Sequence, residues 1–345
     1  MGSLSDISKA TGLSVSAVSE ILRDHPRYRP ETRQLVFEAA RKLNYRPNLM
    51  ARGLKTGRSM TVGIIVGSFH TPVTMEKLAD IENTAREAGY TPFVALGAPD
   101  SQGQLLETVN HLLDRQVDGL IIMSAVALGK PVLKRLADAR TATVFVDWTP
   151  DTPGWKLSFN RLPAMRQAAE HLAQLNHKSG IFVCTPSDWK NPGTKFTLWR
   201  EACREQGIDL QVSEDFRFTP SRQYEQQAYD LIRQRALEGK LPKLLVMNND
   251  SCAVAALAAM QDVGLVIPRD LSVIGFDDTL ESQFCRPALT TIHQPRYEVG
   301  VTAFEMLRQA MEGPGQTPVV QTIDFRFIAR QSTGPVPQSP PRVKV

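Results

Sequence analysis

No apolar run in this 345-residue sequence approaches the roughly 18 residues that a bilayer-spanning helix needs, and the opening MGSLSDISKATG lacks the charged-then-apolar layout of a secretory leader. A cytoplasmic protein without a membrane partner is therefore expected. Cysteine is scarce as well. Cys184, Cys203, Cys252 and Cys285 form no C-x-x-C pair, which excludes a zinc finger or a disulfide framework and leaves core thiols. The six histidines, His25, His70, His111, His171, His177 and His293, show no metal-ligand spacing. A nucleophile elbow, a Walker loop, a dinucleotide-type G-x-G-x-x-G and an H-E-x-x-H pair are all missing. Asp277 and Asp278 are adjacent on a strand end, so their side chains diverge and make no acid/base couple. Neither an enzyme nor a cofactor or metal protein is indicated.

What is present suits a globular protein of two or three domains, with 42% hydrophobic residues. The net charge of +4 conceals an asymmetry: residues 1–60 hold eleven Lys and Arg against five Asp and Glu, while the remainder carries 29 basic and 31 acidic residues. A basic head on a near-neutral body fits a polyanion bound by one module, although charge alone is equally compatible with a solvated surface.

Ser3-Leu4-Ser5-Asp6 has the form of a helix start, with Leu4, Ile7 and Ala10 as its apolar stripe and Gly12 as its stop. Ser14 then caps LSVSAVSEILR (Leu13 to Arg23), in which Val18, Ile21 and Leu22 form the buried stripe and Val15, Ser16, Ser19 and Glu20 point elsewhere. A third helix starts at Pro30 and buries Val36, Ala39, Ala40 and Leu43. Three short helices with a glycine turn between the first two make a helix-turn-helix, whose second helix enters the major groove. Small hydroxyls and a carboxylate suit base edges, though they also occur on any solvated helix face. NLMARGLKTGRS, Asn48 to Ser59, is at most a marginal basic helix, either a plain linker or a segment that orders on DNA with Leu54 as a minor-groove wedge.

From Thr61 the texture changes to β-branched runs (TVGIIVGS, TPFVALGA, DGLIIMSA, ATVFVDW) alternating with helices, the pattern of a parallel sheet covered on both faces. SGIFVCT, KLLVMNND and LSVIGFDD repeat the pattern in a second sheet. Two such lobes create a cleft at the carboxyl ends of their strands. Ser68, His70, Asp147, Trp148, Asn248 to Asp250, and Asp277 with Asp278 cluster there, Asn249 or Asp250 also being a good helix cap.

These residues resemble the lactose-repressor/galactose-repressor (LacI/GalR) family of bacterial transcription regulators from about Ser3 to Thr333. LSDISKATGLSVSAVSEIL, TRQLVFEAARKLNYRPNLMARGLK, HLAQLNH and IPRDLSVIGFDD followed by PALTTIHQP carry the resemblance, in order along the chain. The resemblance implies a helix-turn-helix head with hinge over residues 1–58 (hinge 47–58) and an α/β, periplasmic-binding-protein-like body over 60–333. Within the body, an N-lobe of about 60–160 and 293–321 and a C-lobe of about 161–291 and 322–333 are expected, then a disordered Pro-rich tail at 334–345. The tail's GPVPQSPPRVKV has no leucine heptad, so a homodimer is expected rather than a coiled-coil tetramer.

By matching position, Val15, Ser16 and Glu20 would read bases of a double-stranded, pseudo-palindromic operator, and Ala17 and Ser19 would lie against phosphates. Ser5, Arg33, Asn48, Ala51, Leu54 and Lys55 complete the implied DNA face. A glutamate at position 20 suggests a cytosine opposite it. A small-molecule effector, carbohydrate first and otherwise nucleobase-like, would meet His70, Asp147, Trp148, Asn160, Lys195, Asn249 and Asp277. Lys195 stands where the family usually has an arginine, and Asn160 with Arg161 where an aspartate-asparagine pair is usual, so the pocket departs from the pattern more than the head does. The reading is a transcriptional regulator of the repressor kind, nucleoid-associated when bound to DNA. A solute-binding protein of a transport system or a sugar-processing α/β enzyme are the alternatives; the basic helical head weighs against the first and the missing catalytic motifs against the second.

Overall fold

The computed structural model describes residues 2–22, 25–45, 57–69, 71–97, 102–123, 128–147, 152–184, 195–217, 223–313 and 315–337. The chain divides into two compact units, Met1–Ser59 and Met60–Val345.

In the first unit, α1 (Leu4–Thr11) starts with a capping box. The Ser3 hydroxyl accepts from the Asp6 N–H at 3.2 Å while the Asp6 carboxylate accepts from the Ser3 N–H at 2.9 Å, so donors that the first turn leaves unpaired are used. It ends at Gly12, whose φ of 72° places it in the left-handed region and lets its N–H reach the Ser8 carbonyl. Ser14 then caps α2 (Val15–Ile21) by accepting from the Ala17 N–H at 3.2 Å. Pro30 opens α3 (Pro30–Lys42) with its φ already helical and no N–H to satisfy. Ile7, Val18, Ile21 and Val36 are fully buried between the helices, with Ala40, and Leu4, Leu13, Leu22, Tyr28, Ala39 and Leu43 pack around them. Ala10 is an exception to the expected stripe: it is exposed, because three helices of this length enclose only the innermost turn of each.

The second unit holds two parallel sheets. In the N-lobe the strands β1 (Thr61–Val66), β2 (Thr91–Leu96), β3 (Gly119–Met123), β4 (Ala142–Val146), β5 (Trp155–Asn160) and β11 (Val320–Asp324) lie in the order β11-β5-β4-β3-β1-β2, every neighbouring pair parallel. Alternate residues go to opposite faces. Ile64, Ile121 and Val144 meet helices α4 (Pro72–Glu87) and α12 (Arg296–Glu312); Ile65, Leu120 and Phe145 meet α5 (Gln102–Asp114) and α6 (Lys130–Ala139).

The C-lobe sheet runs β7 (Asp209–Gln211), β6 (Ser179–Val183), β8 (Leu244–Met247), β9 (Ser272–Ile274). Helices α7 (Leu162–Gln174) and α8 (Lys195–Glu205) cover one face over Phe182 and Val246; α9 (Tyr224–Leu237) and α10 (Asp250–Asp262) cover the other over Leu245 and Val273. A short helix α11 (Leu280–Phe284) follows β9. An antiparallel pair, β10 (Thr291–His293) with β12 (Arg326–Ile328), lies where the chain passes between lobes.

Two boundaries differ from the expectation. The register Val320↔Lys156 continues to Asp324↔Asn160, so β11 stays in the N-lobe sheet and the last passage falls at Phe325 rather than between 321 and 322. The first residues of the Pro-rich tail are also placed by hydrogen bonds. The Gly334 N–H donates to the Ser272 hydroxyl at 3.0 Å, the Val336 N–H to the Leu175 carbonyl at 3.0 Å, and Lys243 Nζ to the Pro337 carbonyl at 2.5 Å. Residues 334–337 thus belong to the C-lobe surface because their backbone groups have partners there.

Candidate functional site

On α2 the residues that stay out of the core form one stripe. Val15 is 45% exposed and Ser16 is exposed, while Ala17, Ser19 and Glu20 are half-buried. Ser5 is exposed on α1 and Arg33 half-buried on α3. Glu20 is engaged: Tyr28 Oη donates to its Oε2 at 2.7 Å, and Arg27 Nη2 forms an ion pair with the same oxygen. Asn48, Ala51, Leu54 and Lys55 lie outside the described residues.

In the body, the strand order reverses between β1 and β3 and between β6 and β8, which places a ligand crevice at their carboxyl ends. A cavity of about 110 Å³ lies there, between Ser68 and Thr71 of the N-lobe and Tyr224, Asn249, Asp277 and Thr279 of the C-lobe. The Thr279 hydroxyl, buried at the cavity wall, has no hydrogen-bond partner among the described residues. Wider surface grooves run beside β7, one at its start and one along it to Arg217 beyond its end, and share no lining residue with this cavity.

A connected polar network lies beside the cavity. The Asp147 carboxylate pairs with Arg161, whose guanidinium lies 5.1 Å from the Phe159 ring centre. Lys77 Nζ lies over the same ring at 4.8 Å and donates to Gln294 Oε1 at 2.8 Å, and Gln294 Nε2 donates in turn to Asp277. Lys195 Nζ donates to the Asn248 carbonyl at 3.0 Å and lies 4.2 Å from the Phe276 ring. Burial pulls the Lys77 ammonium down to about 8, with Asp147 and Asp277 only partly restoring it. Burial likewise pushes the Asp277 carboxyl up against the pull of Lys195 and Lys77.

Two further acids are fixed by the fold. Asp250, fully buried, accepts from the Thr279 N–H at 2.9 Å and the Thr291 hydroxyl at 2.6 Å, and burial raises it to about 7. Gly275 is required beside it, since a Cβ there would collide with that carboxylate. Asp278 feels burial upward, but hydrogen bonds from His293 Nδ1 at 2.8 Å and from Arg330 outweigh it and hold it at about 2.

Asp147, Lys195, Asn249 and Asp277, expected from the sequence, therefore come together at one crevice. The Asn249 side chain also caps α10, accepting from the Cys252 N–H at 2.9 Å. Asn160 is spent elsewhere: its amide donates to Asp324 on the neighbouring strand at 2.7 Å. His70 and Trp148 lie outside the described residues. Lys77, Arg161, Gln294 and Arg296 were not expected. Lys77 carried a signal, because a lysine stands on the Val73, Leu78, Ile81, Ala85 stripe of α4. Positive φ at Asp147, Asp277 and Asp278 marks the same strand ends but is visible only in the backbone. Among the described residues no group of acids, histidines and cysteines could hold a metal ion, and no helix is long and apolar enough to cross a membrane.

Comparison with known proteins bears on both halves. Residues 3–48 match the family described as bacterial regulatory proteins, lacI family, and residues 169–333 a periplasmic binding protein-like domain. The chain is 28% identical to catabolite control protein A of Priestia megaterium over 335 residues, covering 95% of this chain and 98% of that one. It is 29% identical to the HTH-type transcriptional repressor PurR of Aliivibrio fischeri over 344 residues, covering 96% and 98%. Among solved structures it shares the fold of the lac repressor dimer bound to operator and the anti-inducer ONPF, with a TM-score of 0.84, 24% identity, and coverage of 96% of this chain and 99% of that chain.

Proposed function

We infer the function from the premise that this chain belongs to the lacI family of bacterial regulatory proteins: it is a sequence-specific DNA-binding transcriptional regulator of the repressor kind. The observation that carries this reading is the outward stripe of α2, capped and held on a basic three-helix head. Two copies bind a pseudo-palindromic double-stranded operator, each presenting Val15 and Ser16 to base edges and Ser5, Ala17, Ser19 and Arg33 to the backbone. Asn48, Ala51, Leu54 and Lys55 would extend that contact into the minor groove. The setting is the cytoplasm, with the protein on the nucleoid when bound, and no reaction is catalysed.

The effector is a small molecule in the interlobe crevice, a carbohydrate or a nucleobase, contacted by Asp147, Lys195, Asn249 and Asp277, with His70 and Trp148, outside the described residues, as further candidates. The hydroxyls of Thr71, Tyr224 and Thr279 support a polar, hydrogen-bonding ligand. Its coupling to DNA runs through contacts between lobes. Lys77 of the N-lobe, Gln294 and Asp277 form one chain of hydrogen bonds, and Arg296 at the start of α12 donates to the Asp277 and Asp278 carbonyls while pairing with Glu76. A ligand that engages Asp277 in only one lobe arrangement shifts the population toward that arrangement, and thereby DNA affinity.

Selection of bound sequences from random duplex DNA, at stated salt and with a panel of sugars and nucleobases, tests the whole reading. A palindromic motif whose enrichment changes with one ligand class is the expected result. Salt-sensitive binding without base preference would leave only phosphate attraction.

A further inference from the structure

Glu20 is the single acid on the outward stripe of α2, and a bare carboxylate there would meet phosphates of its own charge sign. The head does not leave it bare. Tyr28, whose ring packs against the buried core, donates its hydroxyl to Glu20 Oε2 at 2.7 Å. Arg27 Nη2 pairs with the same oxygen and donates to the Tyr28 hydroxyl at 2.8 Å, its guanidinium carbon 5.0 Å from the Tyr28 ring centre. The three side chains close a ring. Tyr28 is anchored by the core, Glu20 by the helix and by Tyr28, and Arg27 by both. The Glu20 side chain is 24% exposed and that of Arg27 58%, so the group offered outward is the cation. A guanidinium has five donors in a planar fork, and both contacts described use one nitrogen, Nη2.

We propose that Glu20 is a positioning residue and that Arg27 is the base reader it positions, with the guanidinium fork taking guanine O6 and N7 in the major groove beside α2. This rests on the DNA-binding reading above and replaces a cytosine contact by Glu20 itself. A carboxylate can only accept, from cytosine N4 or adenine N6, whereas a held guanidinium supplies the paired donors that guanine O6 and N7 match. Holding the fork on a neutralising carboxylate also lowers the side-chain entropy lost on binding and cancels the repulsion that an unpaired Glu20 would bring.

The test uses the full-length protein in sequence selection and in competition titrations at one fixed salt concentration. Wild type first selects a palindrome with a guanine at one position per half-site; a wild type that selects no sequence overturns both the DNA-binding reading and this inference. Given the palindrome, Arg27→Ala is expected to lose the preference at that position alone, about tenfold or more against the guanine site. Arg27→Lys should lose it too, lacking the fork. Glu20→Gln, which still accepts from Tyr28 and Arg27, should keep the preference, and Glu20→Ala combined with Arg27→Ala should behave as Arg27→Ala alone. Tyr28→Phe retains the ring in the core and should weaken the preference without melting the head, followed by circular dichroism. The inference is overturned if Arg27→Ala retains the preference, whatever Glu20→Gln does. It is also overturned if Arg27→Ala weakens all sequences equally and lowers the salt slope by about one, the behaviour of a phosphate contact.

Discussion

Head and body use polar groups in opposite ways. In the head the bonds that shape the working face are local: Ser3 to Asp6, Ser14 to Ala17, Glu20 to Tyr28. In the body they join residues far apart along the chain: Lys77 to Gln294, Asp278 to Arg330, Asp250 to Thr291. The head stands on a handful of buried side chains, so its stability is concentrated in a few positions. Each lobe of the body stands on two apolar layers covering both faces of a sheet, and can keep charged groups inside its crevice.

The largest expected effect follows from the smaller core. Ile21→Ala removes a fully buried side chain from the head and is expected to cost about 3 kcal/mol, enough to abolish operator binding. Calorimetry should then show loss of the head transition with the body transition in place; a body that melts earlier would break the contrast drawn between the units.

The second effect lies in the body. Asp278 is held at about 2 by His293 and Arg330, below its unfolded value, so its stabilisation is full above the unfolded value and is lost as pH falls through the folded one. Asp278→Asn should cost about 2 kcal/mol at pH 7, and the gap from wild type should close between about pH 4 and pH 2. Urea titrations across that range measure it, and a gap independent of pH would contradict the assignment.

Lys77 should show the opposite sign. Its folded value, about 8, lies below the unfolded one, so the cost of burying its charge is present below about 8 and fades as pH rises toward 10.5. Lys77→Met, after allowing for the lost bond to Gln294, is expected to raise body stability by about 1–2 kcal/mol at pH 7, with no gain near pH 10.5. A stabilised variant with weakened ligand response would show that the lysine serves the crevice rather than the fold. The smallest effect returns to the head: Ser3→Ala removes the capping box and should cost about 1 kcal/mol, read as a lower head melting temperature.

The same contrast explains what could be read from residues alone. Helices α1 to α3 were legible because caps, a glycine stop and a 3.6-residue stripe are short-range signals, and the alternating strands of the body because β-branched runs are continuous. Strands β5, β7, β10, β11 and β12 carry no such run and exist through neighbours; TrpLysLeuSerPheAsn (155–160), for example, is a strand because β4 and β11 flank it. Asn249 was visible both as a crevice residue and as a cap. Arg161 was visible only as a departure from the family pattern, and its ion pair with Asp147 appears once β5 is beside β4. Glu20 was legible as an outward residue, but its tie to Arg27 and Tyr28, seven and eight residues on, appears only in three dimensions.

The most direct measurement of the central claim, that the outward stripe of α2 reads base edges, is the ratio of dissociation constants for the selected palindrome and a scrambled duplex, taken with full-length protein at 150 mM salt. A wild-type ratio of roughly 10³ or more, falling toward one when Val15 and Ser16 are both replaced by alanine with the head still folded, is the result expected. A wild-type ratio near one, or one unchanged by the double replacement, would contradict it.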